Sequence, residues 1–146
     1  MITGKTKLLG VIGAPIGHSL SPIIQNAALR AAGLDYVYAA LPVRAGALTS
    51  AVSGLRDAGA AGFNVTIPFK TEIIPLMDDL SEDARRIHAV NTVVIGADGK
   101  LVGHNTDVTG FLAGFEERGV SLAGKRAVLI GAGGAARAVL WGLLRS

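Results

Sequence analysis

The sequence has no cysteine, few charged residues and few aromatic residues, and each shortage excludes a class of protein. Without cysteine, the chain has no disulfide scaffold, no thiolate metal site and no cysteine nucleophile. Half of the 146 residues are apolar and 17% are charged, a balance that excludes an intrinsically disordered chain. The apolar runs are short and interrupted, so none reaches the roughly 20 residues of a membrane-spanning helix. The length suits one ordinary domain, and we expect a cytoplasmic protein.

The charges are scattered along the chain. Fourteen lysines and arginines against eleven aspartates and glutamates give a net charge of +3, and aromatic residues make up 5%. A nucleic-acid-binding protein needs a clustered basic face or stacking rings, and the sequence has neither. We therefore expect no nucleic-acid partner and no membrane partner. The three histidines, His18, His88 and His104, lack companion ligands, so we expect no metal site.

Short apolar runs alternate with helical patterns along the chain. This alternation is typical of an α/β protein with a mainly parallel sheet flanked by helices. The strands are predicted at residues 7–12, 35–41, 62–67, 92–95, 101–104 and 126–130. The helices are predicted at residues 21–32, 48–58, 70–77, 81–87, 108–118 and 135–144. Ser21 and Ser81 are expected to cap their helices, and residues 97–100 to form a hairpin turn.

Glycine is abundant, with 20 residues in 146, and a cluster of glycines follows the last predicted strand. The segment reads Gly131-Ala132-Gly133-Gly134-Ala135-Ala136-Arg137. Gly131 permits a tight turn, and Gly133 lets backbone N–H groups approach a pyrophosphate at the start of the next helix. The alternative is a tight turn that binds nothing. Because a strand precedes the cluster and a helix follows it, the pattern favours a dinucleotide site.

Two serines stand at the start of the first predicted helix. The hydroxyls of Ser19 and Ser21 are one residue apart and could hold a carboxylate or a phosphate with O–H and N–H donors. In the alternative interpretation Ser21 only caps the helix, which leaves Ser19 unexplained. Spacing alone leaves both interpretations open.

Polar side chains also stand near the ends of other predicted strands. Asn64 and Thr66 alternate with apolar residues, and Lys70 follows just beyond. Asn91 and Asp107 border apolar strands in the same way, although Asp107 could instead cap the next helix. Open α/β sheets bind ligands at the carboxyl ends of their strands. This placement is typical of a binding site, but for Lys70 the residues alone favour a solvated surface lysine.

In this order, the stretches resemble the shikimate dehydrogenase family. The resemblance rests on Ser19-Leu20-Ser21, Asn64-Val65-Thr66-Ile67-Pro68-Phe69-Lys70, Ala89-Val90-Asn91-Thr92, Asn105-Thr106-Asp107 and Gly131-Ala132-Gly133-Gly134. It spans essentially the whole chain but only about the N-terminal half of a family member. It implies a reversible hydride transfer with NADP as cofactor, in which NADPH reduces 3-dehydroshikimate to shikimate for aromatic amino-acid biosynthesis.

The resemblance also implies a role for each motif. Lys70 and Asp107 would be the catalytic pair at the reacting oxygen, where they donate and accept a proton. Ser19 and Ser21 would hold the substrate carboxylate. The other substrate-binding residues would be Asn64, Thr66 and Asn91. The phosphate loop for NADP would consist of Gly131, Ala132, Gly133, Gly134, Ala135 and Arg137.

The same resemblance divides the chain into three parts. Residues 1–107 are expected to form a substrate-binding catalytic domain, residues 108–124 a connecting helix and linker, and residues 125–146 the truncated start of an NADP-binding Rossmann-type domain. A dinucleotide-binding fold needs at least a βαβ unit, so we expect the isolated chain to be inactive. Apolar side chains such as Ile130 and Leu140 are expected to drive self-association, and a homodimer is one form that it could take.

Two alternatives stay open. One is a quinate or dual quinate/shikimate dehydrogenase that uses NAD or NADP, although Ser21 favours shikimate because those relatives tend to have threonine there. The residues that would read the cofactor ribose lie beyond Ser146, so the sequence does not choose between NAD and NADP. The other alternative is a non-catalytic substrate-binding module. One departure from the family pattern is Val108, which stands where the family usually has glycine.

Overall fold

Helices and strands alternate along the chain in a computed structural model that describes residues 1–146. The strands are β1 (Lys7–Gly13), β2 (Tyr36–Pro42), β3 (Gly62–Val65), β4 (Asp79–Leu80), β5 (Thr92–Ile95) and β6 (Leu101–His104). The helices are α1 (Ser21–Ala31), α2 (Leu48–Asp57), α3 (Glu82–Ile87), α4 (Asp107–Glu116) and α5 (Gly134–Arg145). No helix combines the length and the apolar character that crossing a membrane requires.

The six strands form one sheet in the order β2-β1-β3-β5-β6-β4. β1 pairs in parallel with β2 and β3, and β4 pairs in parallel with β6. β5 runs antiparallel to both β3 and β6, the latter through the predicted hairpin. The α/β class is therefore confirmed, with a sheet that is parallel on one side and antiparallel in the middle.

Apolar residues cover both faces of β1. Val11 and Ile12 are neighbours that point to opposite faces, because side chains alternate along a strand. Ile12 joins a cluster of twelve buried residues that includes Leu48 and Val52 of α2. Val11 packs with Tyr38 in a smaller cluster, on which Leu29 of α1 also lies. A strand buried on both faces is expected at the centre of an α/β sheet.

A third apolar cluster joins the last helices to the rest of the fold. Ile87 at the end of α3, Ala89, Val108 of α4 and Ala138 of α5 are all buried together. Trp141 of α5 packs against this cluster. Helix α5 is therefore attached to α3 and α4 through apolar contacts.

The two predicted serine caps differ in outcome. The Ser81 hydroxyl accepts a hydrogen bond from Ala84 N at 3.2 Å, so the predicted cap of α3 is confirmed. The predicted Ser21 cap of α1 is wrong, because Ser21 is already the first helical residue and makes no side-chain capping bond. Its backbone N–H instead donates to the Ser19 hydroxyl at 3.2 Å. The Ser21 side chain is therefore not engaged in capping α1.

Two predicted elements do not form. Residues 70–77 make turns and a short 3₁₀-helix (Ile74–Leu76), because Pro75 has no N–H to donate to an α-helix. Residues 126–130 form no strand, since a strand needs a hydrogen-bonded neighbour and no strand of residues 1–146 lies beside them. Val128 and Ile130 are left 92% and 94% exposed.

Gly62 is expected to tolerate no side chain. A Cβ atom at this position of β3 would lie 2.6 Å from the carbonyl oxygen of Val93, a backbone atom that cannot rotate away. Gly62→Ala should lower the free energy of unfolding by about 1–3 kcal/mol. Gly54→Ala is the matched control, because a Cβ atom there meets nothing within 4 Å on α2. That change should raise the free energy of unfolding by about 0.5–1 kcal/mol. Urea denaturation measures both, and equal midpoints would contradict this packing.

Candidate functional site

The topology of the sheet gathers polar residues at the end of β3. Because β5 is antiparallel to β3, the beginning of β5 lies beside the end of β3. Asn91, just before β5, accepts a backbone hydrogen bond from Val65 at 2.8 Å and donates one to His104 at 3.0 Å. Asp107 begins α4 shortly after β6. The sheet thus assembles side chains that are distant in the sequence.

Lys70 lies against Asp107, 37 residues away in the sequence. Lys70 Nζ is 2.5 Å from Asp107 Oδ2, and the two side chains are 16% and 30% exposed. The Lys70 carbonyl accepts a hydrogen bond from Val90 N at 2.7 Å, which ties the lysine backbone to the segment leading into β5. Lys70 is therefore not a solvated surface lysine. The pair places a proton donor beside a fixed acceptor, which is the arrangement needed for acid–base chemistry.

Asp107 is held from several directions. Asn91 Nδ2 donates to Asp107 Oδ1 at 2.8 Å, so the carboxylate uses one oxygen for Asn91 and the other for Lys70. The Asp107 backbone N–H donates to Asn105 Oδ1 at 3.0 Å. Asn91 and Asn105 are both buried, and Thr106 also bonds the Asn91 amide. A carboxylate at the first position of a helix is also stabilised by the helix dipole.

Asn64 extends this polar network toward α1. Asn64 Nδ2 donates to the Thr92 hydroxyl at 3.0 Å, and Asn64 Oδ1 accepts from the Tyr38 hydroxyl at 2.6 Å. Tyr38 is 5% exposed. Its backbone is held by Asn26, which bonds both the Tyr38 N–H and the Tyr38 carbonyl, at 2.9 and 2.8 Å. No buried side-chain nitrogen or oxygen is left without a partner, so the network is complete within the protein.

Tyr38 joins the network to helix α1, whose Asn26 bonds its backbone. Burial raises the pKa of the Tyr38 hydroxyl to about 12, and a hydrogen bond with the Ser21 side chain opposes this rise. Tyr38 therefore stays a neutral donor at every physiological pH. The sequence interpretation missed it, because a tyrosine in an apolar strand reads as core. Only the strand register reveals its role. Tyr38 of β2 pairs with Leu9 of β1, and Leu9 pairs with Gly62 of β3. Because Asn64 is two residues after Gly62 on the same face, this register brings Tyr38 near Asn64.

The glycine-rich segment and Lys70 line the same cleft of about 700 Å³. That volume falls within the usual range of small-molecule sites. Gly133 precedes the first turn of α5, which contains no acidic residue, and nothing lies within 4 Å of a Cβ atom built on Gly133. Backbone N–H groups at this helix start are thus open to an anion. The cleft is lined by Thr66, Lys70, Ile130, Ala132, Gly133, Gly134, Ala135 and Arg137, among others.

The structure brings most of the candidate residues together around the cleft, but it places the two serines outside the cleft lining. Lys70 and Thr66 line the cleft directly, while Asn64, Asn91 and Asp107 reach it through hydrogen bonds. Ser19 and Ser21 do not line this cleft. No three histidine, aspartate or glutamate side chains lie close enough together to hold a metal ion.

The fold and the site define an α/β ligand-binding domain, in which a lysine–carboxylate pair faces a glycine-rich loop. Residues 11–93 match the family described as shikimate dehydrogenase substrate binding domain. The shikimate dehydrogenase (NADP(+)) of Magnetococcus marinus is 53% identical over 146 residues, which cover 99% of this chain and 51% of that protein. The chain belongs to the shikimate dehydrogenase family. It spans about half the length of the curated relatives it matches.

Solved structures agree with this assignment. The crystal structure of shikimate dehydrogenase from Aquifex aeolicus is similar to this chain with a TM-score of 0.96 and 46% identity, over 99% of this chain and 54% of that one. Shikimate 5-dehydrogenase from Thermus thermophilus, in complex with NADP(H) and shikimate, matches with a TM-score of 0.88 and 39% identity. That match covers 96% of this chain and 52% of the Thermus chain.

The raised pKa of Tyr38 predicts a loss of stability in alkali. The pKa rises from 10.0 to about 12 on folding, so the folded chain keeps a proton that the unfolded chain releases. The stability that Tyr38 contributes should be complete below pH 10.0 and decline as the pH rises toward 12. Tyr38→Phe should lack this part of the decline, because phenylalanine does not ionise.

Urea denaturation between pH 10.0 and 12 measures this difference. Tyr36→Phe is the matched control, since Tyr36 lies on the same strand under the Lys7 ammonium and outside the network. That variant should keep the Tyr38-dependent decline. The same decline in wild type and Tyr38→Phe would contradict the burial of the Tyr38 hydroxyl.

Proposed function

We propose that this chain forms the substrate-binding part, and the first cofactor-binding element, of an NADP-dependent shikimate dehydrogenase. The enzyme would reversibly reduce 3-dehydroshikimate to shikimate. The observation on which this proposal depends is the Lys70–Asp107 pair at 2.5 Å, placed opposite a glycine-rich loop. The relatives named shikimate dehydrogenase (NADP(+)), and the Thermus complex with NADP(H) and shikimate, support the choice of substrate and cofactor.

The residues of the loop fit a dinucleotide phosphate. The open space over Gly133 and the absence of acidic residues in the first turn of α5 favour an anion there. We infer that Gly131, Ala132, Gly133, Gly134, Ala135 and Arg137 would hold the cofactor phosphates. When bound, NADP supplies or accepts the hydride. Residues 125–146 would then be the start of the cofactor domain, after the substrate domain of residues 1–107 and the connection of residues 108–124.

Lys70 would move the proton that the reaction requires. Reduction of a ketone leaves an alkoxide, and the Lys70 ammonium would protonate this oxygen from Nζ. In the reverse direction, the neutral amine would accept the hydroxyl proton. Asp107 holds Nζ through Oδ2, while Asn91 holds the other carboxylate oxygen. This leaves the lysine with one defined orientation toward the reacting oxygen.

The remaining polar residues would bind the rest of the substrate. Ser19 and Ser21 would donate hydrogen bonds to its carboxylate, and the bond from Ser21 N to the Ser19 hydroxyl holds the two serines together. Asn64 and Thr66 would contact the ring hydroxyls between the serines and Lys70. Neutral donors suit this task because they orient hydroxyls without adding a charge beside the Lys70–Asp107 pair.

Several expectations from the sequence stay predictions. Whether quinate is a second substrate, and whether NAD can replace NADP, are decided by measuring kcat/KM for shikimate and quinate with each cofactor. Binding of shikimate without turnover at full length would favour a non-catalytic module. Self-association would use exposed side chains such as Ile130 and Leu140, and light scattering measures it. A cytoplasmic location and the absence of nucleic-acid partners are likewise expectations.

Lys70→Ala is predicted to damage turnover far more than substrate binding. In a polypeptide of the relatives' full length that carries these 146 residues, kcat for shikimate oxidation should fall about 10²–10⁴-fold, since general acid–base catalysis is lost. The rate of NADPH formation measures this. Lys100→Ala is the matched control, because Lys100 pairs with Asp98 at 3.3 Å on the exposed hairpin. Near-normal turnover in Lys70→Ala would exclude the proposed role.

Removal of either serine hydroxyl is predicted to weaken shikimate binding alone. Ser19→Ala and Ser21→Ala should each cost about 1.5–3 kcal/mol of binding free energy, as expected for a hydrogen bond to a charged group. Calorimetric titration should show no change in NADP affinity. Ser50→Ala on α2 serves as control, since its exposed hydroxyl bonds only its own helix. If NADP binding fell instead, the serines would belong to the cofactor half of the site.

A further inference from the structure

The only tryptophan of the chain joins α5 to α3. Trp141 Nε1 donates a hydrogen bond to Asp83 Oδ1 at 3.0 Å, and Arg145 donates to the same oxygen at 2.8 Å. The Arg86 and Arg145 guanidinium groups also lie 5.8 and 5.9 Å from the centre of the Trp141 ring. One carboxylate on α3 therefore makes directional bonds to two side chains near the end of α5.

Most other attachments of α5 are apolar. Ala138 and Gly142 are buried, and a Cβ atom at Gly142 would lie 3.1 Å from the Phe111 ring of α4. The hydrophobic effect depends mainly on buried area, so it is less directional than a hydrogen bond. The bonds to Asp83 are directional. Together with the bond from Arg137 Nη1 to the His88 carbonyl at 3.3 Å, they restrict how α5 rotates and slides along its neighbours.

The other end of α5 touches the Lys70 side chain. A Cβ atom at Gly134 would lie 3.1 Å from both Cβ and Cδ of Lys70, and 3.5 Å from Ala89 Cβ. The backbone of Gly134 therefore already packs closely against Lys70. Trp141 is seven positions after Gly134, which corresponds to about 10 Å along the helix. Because the helix is rigid over this length, its two ends move together. A shift at the Trp141 end reaches Lys70 through this contact.

We propose that Asp83 is a positioning residue for Lys70. By holding Trp141, Asp83 fixes α5 so that Gly134 packs against the Lys70 side chain and keeps Nζ on Asp107. The first helix after the glycine-rich loop is thereby coupled to the acid–base pair before any ligand binds. A catalytic role for this coupling rests on the proposed function. The contacts that carry the coupling are all between residues of this chain.

Asp83→Ala in the 146-residue chain tests the coupling with two spectroscopic readouts. Trp141 fluorescence reports the broken bond, since an indole that loses its partner and gains water emits at longer wavelength. The side-chain NMR resonances of Lys70, assigned with Lys70→Arg, report the environment of the lysine. Both should change in Asp83→Ala. Asp57→Ala is the matched control, because it removes an aspartate carboxylate that pairs with Arg56 on α2, away from α5, and it should change neither.

A second pair of variants keeps the test decisive if Asp83→Ala does not fold. Trp141→Phe removes the indole donor but keeps a ring, and should shift the Lys70 resonances like Asp83→Ala. Asp83→Asn keeps an acceptor for Trp141 and should shift them less. Lys70 resonances that stay at their wild-type positions in folded Asp83→Ala, or in folded Trp141→Phe, would overturn the proposal.

Shikimate titration separates this inference from the proposed function. If the wild-type chain binds shikimate, Asp83→Ala should weaken binding about two- to thirtyfold, the range typical of residues that act through others. The Asp57→Ala control should leave it unchanged. Failure of the wild-type chain to bind shikimate would count against the proposed function. The Lys70 resonances would still decide whether Asp83 positions Lys70.

Discussion

The ion pair between Lys70 and Asp107 is the interaction on which the rest of the site depends. Two largely buried charges are costly unless each is fully paired and hydrogen-bonded. Asp107 meets this requirement, because Lys70 bonds one carboxylate oxygen, Asn91 bonds the other, and the Asp107 backbone N–H donates to Asn105. Lys70 Nζ is bonded to Asp107 and lies beside the cleft. The antiparallel strand β5 makes this possible, because it brings Asn91 beside the end of β3.

The same requirement explains why polar residues extend so far from the pair. Asn91 is bonded by Thr106 and Thr92, and Thr92 in turn bonds Asn64. Tyr38 completes the network at the α1 side. A single unsatisfied amide in such a network is expensive, so the members support one another. The network therefore fixes the geometry of the site without a ligand.

Much of this was predictable from the sequence, because the informative residues stand at the ends of strands. Asn64, Asn91 and Asp107 are predicted from their positions at strand ends, and Lys70 only from the family resemblance. The structure brings the four into one hydrogen-bonded network. Tyr38 could not be found in the same way, since its role depends on strand register. The failed strand at residues 126–130 has a related cause: an apolar run specifies a strand only when another strand lies beside it. The strand β4 has only two residues, too few to show the alternation of apolar and polar residues that predicts a strand.

A structure of the chain with bound shikimate would show whether Lys70 lies at the reacting centre. We expect the substrate carboxylate on the Ser19 and Ser21 hydroxyls, and a ring oxygen within hydrogen-bond distance of Lys70 Nζ, with Asp107 still bonded to Asn91. Shikimate bound elsewhere, or bound beside Lys70 with its ring turned away from Nζ, would contradict the proposed role of Lys70.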